Sequence, residues 1–262
     1  MDYQSITFKK EKGIATITLN RPDNLNALDL TMGKEWLDAM DKCSLDREIK
    51  VIILTGEGRA FSAGGDVKSM REAGDDAASL LGELTHYLHG IISAMRRINR
   101  PVIGAINGIA SGAGFSMALA CDLLVASDKA RFNMAYVNIG LVPDGGGTYF
   151  LPRLLGLQRA SQLIFTAEAI DAIEAQKLGL VNYVVPPEQV LPMAMELAER
   201  FATGPTQAYG NAKALINSGL IESLETQLEN ERQAISRSSQ TVDFKEGLAA
   251  FFEKRKANYK GH

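Results

Sequence analysis

The sequence predicts an α/β fold of stacked crossover units, and three observations carry that prediction. Two short apolar runs, Val51-Ile52-Ile53-Leu54-Thr55 and Val102-Ile103-Gly104-Ala105-Ile106, have the composition of strands buried on both faces. Each is followed by a small-residue, glycine-containing turn, a helical segment and a further strand, so one crossover pattern occurs twice. Between the two runs, Leu81, Leu84, Leu88, Ile91, Met95 and Ile98 recur at spacings of three and four, the apolar stripe of a long helix.

The remaining elements follow along the chain. Ile14, Ile17 and Leu19, with Thr16 and Thr18 between, read as an early strand, and residues 20–24 have turn chemistry. Asp29 is placed to cap a helix bearing Met32, Trp36 and Met40. Phe61-Ser62-Ala63-Gly64-Gly65-Asp66 and the run from Asn107 to Gly114 both read as loops. The second leads into an Ala- and Met-rich helix and then a strand over 123–126. Pro143-Asp144-Gly145-Gly146-Gly147-Thr148 is a third such turn. Beyond Pro186-Pro187 the pattern is wholly helical, over 190–201, 206–217, 221–236 and 242–256. A boundary at Thr203-Gly204-Pro205 divides a core, 1–203, from a C-terminal helical region, 204–262.

The 262 residues, 46% hydrophobic and 23% charged, suit a sizeable buried core and exclude the disordered and fibrous classes. A net charge of −3 argues against general nucleic-acid affinity. No apolar run approaches the roughly 20 residues that cross a bilayer. The opening Met1-Asp2-Tyr3-Gln4-Ser5 lacks the basic and apolar stretches of a signal peptide. Cys43 and Cys121 are too few for a disulfide framework and stand in no metal-ligand spacing. The expectation is a cytoplasmic, reduced protein without a metal.

Two of the glycine-rich turns lie where a buried strand passes to a helix start. Peptide N–H groups there lack intrahelical partners, and small side chains let a carbonyl oxygen approach them. Two such turns converging would form an oxyanion hole, in which each donor contributes about 2.7–4 kcal/mol to a transition state. The same glycines also serve tight turns and close packing. Neither turn carries the Gly-Lys-Ser/Thr of a phosphate loop or the dinucleotide fingerprint.

Asn20-Arg21-Pro22 with Asn26-Ala27-Leu28, Phe61 through Asp66, Asn107-Gly108 through Gly114, residues 143–148 and the ending Phe251-Phe252-Glu253-Lys254-Arg255-Lys256 together resemble the crotonase, or enoyl-CoA hydratase/isomerase, superfamily. The resemblance spans essentially the whole chain. It implies a crotonase-like spiral of repeated ββα units, a C-terminal helical trimerisation region, and a homotrimer or dimer of trimers. It implies an acyl-CoA thioester substrate, with coenzyme A part of the substrate and no separate cofactor. The thioester oxygen would accept from the N–H groups of Gly65 and Ala113, the second normally a glycine in the family. Leu25, Ala63, Asp66 and Val67 would line the CoA channel, and Phe251 and Lys254 would reach its nucleotide end.

Departures from the family pattern bear on the reaction. The two glutamates of the family's hydratases fall here on Ser116 and Tyr136, neither a useful base near neutral pH. Asp144 remains, at the position where the family's isomerases carry a single working carboxylate. One acid suffices to take a proton α to the thioester and return it further along. From the residues alone, Asp144 is equally suited to cap the next helix. Resemblance to the phenylacetate-pathway ring-epoxide isomerases would ask for a wide pocket, with Phe115, Met134 and Tyr136 as candidate lining. His89 falls where the family's aryl-CoA dehalogenases place a water-activating histidine, and also reads as a partly buried structural histidine beside Leu88, with His86 exposed on the same helix. The expectation is an acyl-CoA isomerase. The alternatives are a hydratase recruiting Glu72 or Glu83 from around the flexible segment 73–78, a dehalogenase, or a non-catalytic acyl-CoA binder.

Overall fold

The computed structural model describes residues 3–261; Met1 and Asp2, part of the reading of the chain's start, and His262 lie outside them. The chain opens with an antiparallel pair, β1 (Ile6–Glu11) and β2 (Ile14–Leu19). Helix α1 (Leu30–Leu45) is capped by Asp29, whose side chain accepts from Met32 N. Next come β3 (Val51–Gly56), β4 (Ala60–Ser62), α2 (Val67–Ala73) and α3 (Ala77–Arg97). The second unit is β5 (Val102–Ile106), β6 (Ile109–Ser111) and α4 (Ala113–Leu119). The third is β7 (Leu123–Ser127), β8 (Arg131–Asn133), a 3₁₀ turn Ala135–Ile139 and α5 (Gly147–Thr166), which breaks at Gly156. Strand β9 (Ile170–Asp171), α6 (Ala172–Lys177) and β10 (Tyr183–Val185) complete the strands, and α7 (Val190–Ala202), α8 (Thr206–Gly219), α9 (Leu224–Ser238) and α10 (Val242–Glu253) follow.

Six strands form one sheet in the order β1-β2-β3-β5-β7-β10, parallel from β2 onward; β4-β6-β8-β9 form a second. The uninterrupted apolar run of β3 is explained by its two faces. Val51 and Ile53 pack under α7 with Ile103, Ala105 and Ala194, while Ile52 and Leu54 face the main core with Trp36 and Met95. The segments read as loops at 61–66 and 107–114 take in the end of β4 and the whole of β6. β4 and β6 pair in parallel, Ala60 opposite Ile109, and β6 pairs with β8 at Ala110 and Phe132. Strands β3, β5 and β7 of the first sheet are thus each followed by a short strand of the second, and that second layer positions the candidate site. The segment 73–78 is helical, the end of α2, a 3₁₀ turn and the start of α3.

Helix α8 is tied to the core by Lys213, a buried ammonium that donates to Met95 O at 2.6 Å, Arg100 O at 3.0 Å and Asp122 Oδ2 at 2.6 Å. Asp122 also accepts from Arg96 at 3.0 Å and from Val102 N at 2.8 Å, so one carboxylate joins α3, β5 and α8. Among the described residues no helix is long and apolar enough to cross a membrane.

Asp122→Ala strands the Lys213 charge in a buried setting. The expected loss is about 3–5 kcal/mol, against about 1 kcal/mol for removing the Asp29 cap, both read from denaturant unfolding.

Candidate functional site

A cavity of about 460 Å³ opens between α3 and the turns that follow β4, β6 and the 3₁₀ segment. Leu28, Met70, Leu81, Leu84, Leu88 and Leu141 are among the apolar residues that line it. Ala113 begins α4, so its N–H has no partner within the helix. The positive φ of this turn (51°) falls on Gly112, and Ala113 therefore needs no glycine. Gly65 forms an isolated parallel bridge with Leu28. The bridge uses Gly64 O, accepting from Leu28 N at 2.7 Å, and Asp66 N, donating to Leu28 O at 3.0 Å, and leaves the Gly65 N–H outside the ladder. The two turns touch. A Cβ on Gly64 would lie 2.8 Å from Ser111 O and 3.2 Å from Ala113 N, at a φ of 98° that side chains rarely adopt. Glycine at 64 is thus what lets both unpaired amides border one cavity.

Asp144 lines the same cavity, its carboxylate held from two sides. Tyr136 Oη donates to Oδ1 at 2.6 Å and Thr85 Oγ1 donates to Oδ2 at 3.2 Å. Tyr136 Oη also lies 3.2 Å from the buried Ser116 Oγ. Positions 116 and 136 therefore face each other beside Asp144, as a pair of hydroxyls. Burial, the Asp144 charge and the hydrogen bond to it push the Tyr136 phenol well above the ordinary tyrosine range, so it stays protonated and donates. The alternative reading of Asp144 as a helix cap is overturned: the cap of α5 is Gly146, with no side-chain bond.

Ala63 and Val67 line the cavity, but several other residues singled out in the sequence do not. Phe115 is 1% exposed and packs on Phe132 in the core, ring centroids 5.3 Å apart, and Met134 is likewise core. Leu25 braces the loop through its carbonyl, which accepts from Ala63 N at 2.9 Å. Asp66 caps α2 at Lys68 N and Ser69 N and pairs with Arg21 at 2.9 Å, so its carboxylate is engaged away from the cavity. Phe251 is exposed near the end of α10, beside Thr241 and Tyr259, and Lys254 is that helix's left-handed C-cap. Neither lines this cavity within the chain. His89 is exposed, as His86 is, rather than partly buried, and borders a separate cleft of about 1000 Å³. Glu72 and Glu83 sit on the surface near Lys68 and Lys34. Among the described residues, Asp144 is the one carboxylate lining the cavity.

Thr85, which lines the cavity and bonds the Asp144 carboxylate, is a neighbour that sequence reasoning missed. Its signal was present: a hydroxyl beside the apolar stripe, between Leu84 and Leu88. Among the described residues no three His, Cys, Asp or Glu side chains group as a metal site would.

A family profile described as enoyl-CoA hydratase/isomerase matches residues 9–262. The chain is 38% identical over 260 residues to a crotonyl-CoA hydratase of Syntrophomonas wolfei, covering 99% of both chains. It is 36% identical over 252 residues to a 1,2-epoxyphenylacetyl-CoA isomerase of Escherichia coli, covering 96% of both. A crystal structure titled as an enoyl-CoA hydratase subunit from Geobacillus kaustophilus superposes with a TM-score of 0.92 at 36% identity, covering 100% of each chain.

The raised Tyr136 pKa has a definite sign for stability. Above pH of about 10 the unfolded chain releases this proton while the folded chain keeps it. The stabilisation is therefore complete below pH ~10 and is lost as pH rises toward the folded value. Alkaline unfolding curves should fall more steeply for the wild type than for Tyr136→Phe.

Proposed function

The chain belongs to the enoyl-CoA hydratase/isomerase family, and within it we propose that it is an acyl-CoA isomerase in which Asp144 shuttles one proton. The observation that carries this reading is that, among the described residues, Asp144 is the single carboxylate of an apolar cavity that also borders the Gly65 and Ala113 amides. In the proposed reaction the thioester oxygen accepts from both N–H groups. Asp144 takes a proton from the carbon α to the thioester, and the electron pair of that C–H bond becomes the enolate. The amides hold the enolate charge, each donor contributing about 2.7–4 kcal/mol. Asp144 then returns the proton at the γ carbon, and the double bond moves from β,γ to α,β. Tyr136 and Thr85 keep the carboxylate aimed, and Tyr136, held neutral, does not compete as a base.

Hydration would ask for a second ionisable group to handle the other part of water. Ser116 and Tyr136 bring hydroxyls to that place, and Glu72 and Glu83 lie on the surface. The name of the Escherichia coli relative supports extending the proposal to rearrangement of ring-containing acyl groups.

The same reading includes a spiral of ββα units, a homotrimer or dimer of trimers assembled through 204–262, no cofactor beyond the substrate's own coenzyme A, and action in the cytoplasm. Exposed Leu224, Leu228 and Ile235 on α9 and Phe244, Leu248 and Phe251 on α10 support an assembly surface there. In that assembly Phe251 and Lys254 would serve the nucleotide end of CoA.

The test is a panel of 3-enoyl-CoA and 2-enoyl-CoA esters, including ring-containing ones. Migration should exceed hydration, and Asp144→Asn should lower migration by about 10²–10⁴-fold while ester binding persists. Hydration outrunning migration would refute the proposal.

A further inference from the structure

Thr85 and His89 stand four residues apart on α3, on one face and one turn apart. Thr85 donates to the Asp144 carboxylate, while His89 Nε2 accepts from the Gly145 N–H at 3.3 Å. One helix thus holds residue 144 twice, by its side chain and by the peptide that follows it. That peptide is planar, so fixing the Gly145 N–H also fixes the Asp144 carbonyl on its opposite edge. The carbonyl in turn accepts from Gly147 N at 3.1 Å. Without the His89 acceptor the peptide loses a restraint on the α3 side, and rotation there would swing the carboxylate away from the paired amides. The imidazole lines the larger cleft and is not among the residues that line the cavity holding Asp144.

We propose that His89 is a positioning residue, whose unprotonated Nε2 holds the Asp144–Gly145 peptide and through it the aim of the carboxylate. The inference rests on the assignment of Asp144 as the shuttling base. What the position requires is a hydrogen-bond acceptor at that reach, supplied by the Nδ1–H tautomer of the neutral ring.

Two variants separate this from a merely structural role. His89→Phe keeps a ring and removes the acceptor; His89→Gln restores an acceptor near the Nε2 position. With the full-length enzyme and a 3-enoyl-CoA ester, kcat for His89→Phe should fall at least about tenfold while KM stays within about twofold. His89→Gln should recover most of kcat. Exchange of the Gly145 amide proton should quicken in His89→Phe and return toward wild type in His89→Gln, with both variants melting near the wild type. Wild-type kcat in His89→Phe, or equal losses in both variants, overturns the proposal. The isomerase assignment fails in a different place, in the wild type's own products. In that event amide exchange, which needs no turnover, still decides the role of His89: unchanged exchange in His89→Phe overturns it.

Discussion

The site depends on two peptide N–H groups left unpaired at neighbouring turns. A peptide N–H without a partner, here one buried at Ala113 and one half-buried at Gly65, is ordinarily avoided, because its desolvation goes uncompensated. Here the fold leaves one because it opens α4 and the other because the Leu28 bridge engages the residues on either side of it. Their proximity requires the backbones after β4 and β6 to touch, which the parallel pairing of those strands imposes and which the missing Cβ of Gly64 permits. The first sheet and its helices form the frame that fixes where the two turns meet. In the proposed reaction such donors need little rearrangement when charge develops on a bound oxygen, because the backbone that carries them is already fixed at the cavity wall.

Much of the frame was legible because it carries period and punctuation. Asp29 announces α1, and β3 and β5 are uninterrupted because both faces are buried, with Ile52 and Ile53 serving opposite cores. The second sheet was not legible. Strands of three residues such as Ala60–Ser62 and Ile109–Ser111 are too short to show alternation, and their small residues read as loop. The site divides in the same way. Gly65, Ala113 and Asp144 stand in motifs that a chain-long resemblance could point to. Phe115 and Met134 were offered to the pocket by the wide cavity that the ring-epoxide isomerase resemblance asks for, yet lie in the core, the commoner setting for large apolar side chains. The hydrogen bonds from Thr85 to Asp144 and from Gly145 to His89 span 59 and 56 positions of sequence and exist only once α3 packs beside the turn before α5. No local pattern encodes them.

The choice between moving a proton and adding water turns on how many groups at the site can change charge. Ser116 and Tyr136 stand beside Asp144 with hydroxyls, and burial together with the Asp144 charge keeps the Tyr136 phenol protonated. Such groups orient a carboxylate and polarise it, but they neither accept a proton from water nor release one at neutral pH. Proton migration returns the base to its starting state within one turnover and makes no further demand. Water addition divides hydrogen and hydroxyl between two carbons, and is helped by a second titrating group. The surface carboxylates of Glu72 and Glu83, set near Lys68 and Lys34, would each have to leave the solvated surface and enter an apolar cavity to serve. The desolvation of such a move falls on hydration alone, and that asymmetry is the physical ground of the proposed migration.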